Sequence, residues 1–179
     1  MAPADGPPND GPQLMEKPDF IVVMGVSGTG KSVIARSLAE RLGVDWIEAD
    51  TYHSPENVER MRSGKGLTDC LRWPWLAAVA AAALDLPGRP AVVACSALKR
   101  SYRDFLRQRL GDVAFVFLDG EAELIRQRLG DRADHFAGPS LLASQLATLE
   151  RPQADERFIA LPIAWSPDRI VDTAAAAFA

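Results

Sequence analysis

Apolar and polar positions along this chain switch between two periods. From residue 19 onward, short continuous apolar runs of the kind that form buried strands alternate with segments carrying an apolar residue every three or four positions, as in helices with one buried face. The run Phe20-Ile21-Val22-Val23-Met24 predicts a strand over about 20–24, and Ile34, Leu38 and Leu42 mark a helix over about 31–42 that Gly43 ends. Val44 to Ala49 reads as a short strand closing at Asp50. Ser54-Pro55-Glu56 combines an N-cap, a proline at the first helical position and an acid in the first turn, so a helix is expected to about Met61. Further helices are expected over Trp73 to Leu86, about Ser101 to Leu110, Glu121 to Leu129 and about Ser140 to Leu149. Ala91 to Cys95 and Val113 to Leu118 read as buried strands. Phe158 to Trp165 reads as a fifth, and Pro162, which removes a ladder donor, places it at a sheet edge. Ser166-Pro167 repeats the cap signature, with Ile170, Val171, Ala174 and Phe178 on one face of a last helix.

Alternating strands and helices imply a parallel sheet between two helical layers, with ligands at the carboxyl ends of the strands. Residues 1–18, rich in proline, glycine and aspartate, read as a disordered tail, and 19–179 as one domain. The polar stretch 130–139, GDRADHFAGP, reads as a mobile loop. Composition narrows the picture a little further. Lys+Arg 20 against Asp+Glu 24 gives a net charge of −4, which argues against a nucleic-acid footprint. Two cysteines, Cys70 and Cys95, are too few for a disulfide framework, so a reduced, cytoplasmic setting is expected. Neither a membrane span nor a signal peptide is read.

Chemistry enters at Gly25-Val26-Ser27-Gly28-Thr29-Gly30-Lys31-Ser32, a GxxxxGKS sequence placed between a strand and a helix. Glycines let successive backbone N–H groups converge on phosphate oxygens, and the helix that follows turns its positive end toward them. Gly28, Thr29, Gly30, Lys31, Ser32 and Val33 are therefore expected to hold the phosphates of a nucleoside triphosphate. Lys31 would reach the β- and γ-phosphates and Ser32 would hold Mg²⁺. No Asn/Thr-Lys-x-Asp sequence for guanine occurs, which weakens a GTPase reading. Arg126, Arg128 and Arg132 precede or lie in the 130–139 loop, as in a lid that closes over a transferring phosphoryl group. Arg126 suits a solvated helix face, whereas Arg128 and Arg132 suit phosphate contacts. At the tip of the second strand, Asp50 is a carboxylate able to take a hydroxyl proton or orient Mg²⁺-bound water. It is preferred to Asp119, because Asp119-Gly120 reads as the cap of the next helix. His53, three residues on, suits either a polar substrate or solvent.

The residues from Val23 to about Arg157 resemble the small, single-domain gluconokinases, relatives of shikimate kinase. The resemblance rests on Gly25 to Ser32, Asp50-x-x-His53 with Asn57 and Met61, and Gly64-x-x-Leu67-x-Asp69. It continues through Arg72-x-Pro74-Trp75-Leu76, Cys95-Ser96-Ala97-Leu98-Lys99-Arg100-x-Tyr102-Arg103-Asp104, Arg128-Leu129, His135-Phe136, Ser144-Gln145 and Leu149-Glu150-x-Pro152. It implies a P-loop kinase fold with sheet order 2-3-1-4-5 and a short lid, and transfer of the ATP γ-phosphoryl group to the 6-hydroxyl of D-gluconate with Mg²⁺. Arg132 joins Asp50 and Lys31 in the catalytic group, Arg128 in the nucleotide site, and Ser32 and Asp50 at the metal. Lys99 and Arg103, four apart, would share a helix face and hold the carboxylate, while His53, Asn57, Arg60, His135 and Gln145 offer hydroxyl contacts. Gly66 and Leu71 stand where the family usually has proline and a second acid. Kinases of another sugar acid or a shikimate-like polyol, and a nucleotide-binding regulator without transfer activity, are the alternatives. Dimerisation is common in that family, and no sequence feature here demonstrates it.

Overall fold

The computed structural model of the protein describes residues 16–130 and 138–179. Strands β1 (Phe20–Met24), β2 (Trp46–Glu48), β3 (Ala91–Ala94), β4 (Val113–Asp119) and β5 (Phe158–Pro162) pair in parallel in the order β2-β3-β1-β4-β5. This is the expected order. All of β1 and β3 is buried, as is β4 up to Asp119, which explains their unbroken apolar sequences. The outer strands are partly exposed, and Pro162 ends β5 at the edge, where its missing N–H costs no ladder bond.

Helices α1 (Lys31–Leu42), α2 (Pro55–Arg62), α3 (Asp69–Asp85), α4 (Arg100–Leu110), α5 (Ala122–Gly130), α6 (Pro139–Thr148) and α7 (Pro167–Ala177) complete the described chain. α1 packs on α7 and α3 on α4, giving a three-layer α/β/α architecture. Both predicted serine caps form: Ser54 Oγ accepts the Asn57 amide at 3.2 Å and Ser166 Oγ the Arg169 amide at 3.3 Å. No helix among the described residues is long and apolar enough to cross a membrane.

Several boundaries differ from expectation: β5, expected to run to Trp165, ends at Pro162, β2 starts at Trp46 rather than Val44, and two others lie at the site. β2 stops at Glu48, and Asp50 sits in a 3-10 turn, Ala49–Tyr52, rather than at the strand end. The Glu48 side chain accepts the Asp50 amide at 3.4 Å and the Thr51 hydroxyl donates to the Glu48 carbonyl at 2.7 Å, which folds the chain over early. α3 begins at Asp69, four residues before Trp73, because the Thr68 carbonyl accepts both the Leu71 and Arg72 amides at 3.1 Å. Pro74 thus lies inside the helix instead of at its first position. Most of the tail (residues 1–15) and most of the expected lid, with Arg132 and His135, lie outside the described residues.

Candidate active site

The loop from Gly25 to Ser32 joins β1 to α1, over the carboxyl end of the sheet. Gly28 and Gly30 hold φ of +84° and +91°, in the left-handed region that glycine tolerates. A Cβ at Gly28 would also stand 2.7 Å from Leu129 Cγ, so glycine is what lets the loop lie against α5. Thr29 Oγ1 and Lys31 Nζ both donate to the Val26 carbonyl, at 2.8 and 3.1 Å, and brace the loop from within. Burial lowers the Lys31 pKa from its ordinary value, with the Asp50 and Glu48 carboxylates opposing the shift. An ammonium in this setting is poised for a further anion.

Two cavities flank the loop. The larger, about 410 Å³, is lined by Gly28, Gly30, Val33, Arg128, Ile163 and Trp165. Its size and largely apolar walls suit a nucleoside. Arg128 is fixed there by donating to the Ile163 carbonyl at 2.6 Å, and the Arg169 guanidinium lies 3.7 Å from the Trp165 ring centroid. Arg126 instead points outward, pairing with Glu123 at 3.5 Å.

The second cavity, about 160 Å³, brings Lys31 and Ser32 together with Asp50, His53, Arg72 and Gln145, above apolar walls that include Met61 and Leu67. Asp50 keeps its carboxylate accessible, with 63% of the side chain exposed. His53 is nearly buried, its Nε2 lying 3.7 Å from Asp50 Oδ1. The Gln145 side-chain oxygen accepts the Ser27 amide of the phosphate loop at 2.7 Å. Glu48 accepts a hydrogen bond from the Ser32 hydroxyl. Burial raises the Glu48 pKa, the Ser32 hydrogen bond opposes, and the neighbouring Asp50 charge adds to the rise. Ser32, Glu48 and Asp50 are hard oxygen donors next to a phosphate loop, a set that fits Mg²⁺, which takes one or two carboxylates and completes its shell with phosphate and water.

Four predicted acceptor contacts are not brought into this cavity. The Arg103 guanidinium is fully buried elsewhere, with Nε and Nη2 donating to Glu156 at 2.6 and 3.0 Å and Nη1 to the Ala97 and Leu98 carbonyls at 3.0 and 3.2 Å. Burial works against the Glu156 charge, but Arg103 and the Gln153 amide outweigh it and hold its pKa below the ordinary value. Lys99 precedes α4 rather than sharing a face with Arg103, and its Nζ pairs with Asp69 at 3.1 Å. Asn57 is buried and donates to the Leu71 carbonyl at 3.3 Å, while Arg60 Nε donates to the Gly66 carbonyl at 2.7 Å. Asp119 is not a helix cap either; it binds both terminal nitrogens of Arg151.

Arg72 and Glu48 were not expected here, yet the first borders the cavity and the second accepts from Ser32 of the phosphate loop. Arg72 is 6% exposed, borders the cavity, and makes one hydrogen bond among the described residues, from Nε to the Leu67 carbonyl at 3.3 Å. Its place in the Arg72-x-Pro74-Trp75-Leu76 segment was the available signal; the acid two residues before Asp50 was the signal for Glu48. The thiols also differ: Cys70 is exposed in the first turn of α3, whereas burial pushes the Cys95 thiol up to about 12.

Residues 20–152 match the family described as AAA domain. The gluconokinase of Gluconobacter oxydans is 46% identical over 162 residues, covering 89% of this chain and 91% of that protein. The thermoresistant gluconokinase of Escherichia coli is 41% identical over 137 residues, covering 75% of this chain and 78% of its own length. The crystal structure of a gluconokinase from Sinorhizobium meliloti superposes with a TM-score of 0.81 at 46% identity, covering 92% of this chain and 93% of that one. With a P-loop between β1 and α1, the same architecture as a solved gluconokinase and this identity over most of its length, the chain belongs to the gluconokinase family of ATP-using P-loop kinases.

Proposed function

We propose that the protein transfers the γ-phosphoryl group of ATP to the 6-hydroxyl of D-gluconate, giving 6-phospho-D-gluconate and ADP. The observation that carries this reading is the composition of the smaller cavity. A cationic phosphate-loop lysine, an accessible carboxylate and a buried arginine with most of its donors uncommitted line the same space. That set suits an acceptor with an alcohol at one end and a carboxylate at the other.

In this reading the nucleoside lies in the larger cavity, against Arg128 and Trp165, with its phosphates along the amides of Gly28 to Val33. Asp50 accepts the proton of the attacking hydroxyl as the oxygen–phosphorus bond forms. Lys31 balances charge on the transferring group, and Arg132, within the expected lid, adds to that balance. Ser32, Glu48 and Asp50 hold Mg²⁺, which when bound screens the negative charge between the phosphates. Arg72, rather than Lys99 or Arg103, takes the gluconate carboxylate, since a guanidinium with free terminal nitrogens can grip a carboxylate by two bonds. His53, His135 and Gln145 remain for hydroxyl contacts. Residues 19–179 act as one kinase domain with residues 130–139 as its lid. The net charge of −4 favours a small-molecule partner over nucleic acid, and two unpaired thiols fit a cytoplasmic setting.

The test is ADP release with and without D-gluconate across a panel of sugar acids and shikimate, with Lys31→Ala as control. Gluconate-dependent turnover that the control lacks is the expected result. Nucleotide binding without product on any polyol would overturn the reading in favour of a regulator.

A further inference from the structure

Trp75 sits in the core of α3, 3% exposed, and borders neither cavity. Its indole nevertheless makes two directed contacts, and both go to the turn that carries Asp50. On one side of Asp50, the indole Nε1 donates to the Ala49 carbonyl at 2.8 Å. On the other side, its ring stacks on the His53 imidazole, with centroids 4.2 Å apart and planes inclined by 16°. Among the described residues, the buried His53 Nδ1 has no hydrogen-bond partner, and the indole face supports the ring.

Within the turn the contacts are local ones: the Thr51 hydroxyl donates to the Glu48 carbonyl at 2.7 Å and the His53 amide to the Asp50 carbonyl at 3.4 Å. It is a four-residue 3-10 helix after a three-residue edge strand. Short 3-10 segments have poor internal hydrogen-bond geometry and depend on their surroundings. Glu48 also reaches the Asp50 amide, but at 3.4 Å and from a carboxylate that the proposed function assigns to the metal.

We infer that Trp75 is a positioning residue, which by holding Ala49 and His53 fixes where the Asp50 carboxylate stands relative to Arg72. Arg72 lies three residues earlier on the same helix, and helical residues so spaced are neighbours. One rigid element thus carries both the grip on the acceptor's anionic end and the support for the base. α3 acts as a ruler between the carboxylate of the acceptor and the hydroxyl that is phosphorylated. A loosened base would leave the bound nucleotide open to attack by water, with ATP cleaved to ADP and phosphate instead of passing its phosphoryl group to the sugar acid. The inference rests on the proposed roles of Asp50 and Arg72; turnover of the unaltered protein tests those roles, and the variants below test this one.

The decisive variant is Trp75→Phe, which keeps an aromatic face for His53 and removes the N–H donor together with part of the ring's volume, a loss of volume that the control below shares. Its control is Trp73→Phe on the same helix, where the indole packs on Tyr102 and Phe105 and touches neither Ala49 nor His53. Trp75→Phe should lower kcat by about 10- to 100-fold, the scale of a small misplacement of a reacting group, with the KM for ATP unchanged. Phosphogluconate formed per ATP consumed should fall below one, while the control keeps full coupling. A merely structural role would lower stability without changing that ratio. Should Trp75→Phe fail to fold, β-(3-benzothienyl)alanine placed at position 75 keeps the bicyclic shape without the N–H donor and should show the same uncoupling. Wild-type coupling and kcat in the folded variant, or changes no larger than in the control, would overturn the inference.

Discussion

The start of α4 and the start of α3 each bury an arginine, and the surroundings of the two are opposite. Under α4, Arg103 is saturated: two bonds to a buried carboxylate and two to carbonyls answer its charge within the protein. At α3, Arg72 is almost as inaccessible, yet one carbonyl and the face of Tyr102, 5.3 Å from its ring centroid, are its partners among the described residues. The Asp69 carboxylate, three residues earlier on α3, feels the Arg72 charge but makes no hydrogen bond to it among the described residues. The buried cation is thus only partly answered and suits a place where a ligand brings a further anion. Burial alone therefore does not separate the two. The count of answered donors does.

The strongest way to break this comparison is Arg103→Leu. It leaves the buried Glu156 carboxylate with only the Gln153 amide at 2.9 Å and the more distant Arg100 guanidinium at 3.8 Å, which should lower the unfolding free energy in urea by about 3–5 kcal/mol. The KM for gluconate of the protein that remains folded should not change. A stable variant with a raised KM would instead move Arg103 into the site.

Arg72→Met should do the reverse. Loss of hydrogen bonds to a charged group, about 1.5–3 kcal/mol, should raise the gluconate KM by about one to two orders of magnitude with the KM for ATP and the melting temperature little altered. An equal rise in both KM values would count against a carboxylate grip.

Acid titration sharpens the same contrast. The folded pKa of Glu156 lies below its ordinary 4.5, so the unfolded chain takes up the proton more readily. Its contribution to stability is complete above about pH 4.5 and is lost as the pH falls through the lower folded value. Urea titrations over that range should show a slope that Glu156→Gln lacks; identical slopes would remove the pair from the stability of the fold. The smallest effect is expected at Lys99. Its pair with Asp69 is partly solvated, so Lys99→Met should cost less than about 1 kcal/mol and leave the gluconate KM near that of the parent.

The arginine pair also marks how far the sequence is legible. What depends on neighbours in the chain could be read: β1, the phosphate loop, the serine caps at 54 and 166, and the edge position of the strand that holds Pro162. What depends on distant partners could not. Lys99 and Arg103 look like a shared cationic face until Glu156, 53 positions beyond Arg103, answers one of them. Pro74 looks like a helix start until the Thr68 carbonyl begins the helix four residues sooner. That extension puts Arg72, which precedes the expected helix, on α3 at the cavity wall. Asp50 lines the cavity despite a misplaced strand end, because the acid stays at the carboxyl edge of the sheet whether strand or turn delivers it.

The contrast between the thiols has a practical consequence. At neutral pH a maleimide reacts with thiolate on the surface, which Cys70 can offer and Cys95, closed off and held protonated, cannot. A dye added to the unaltered chain should therefore attach at one place, two residues before Arg72, and report in solution when an acceptor arrives.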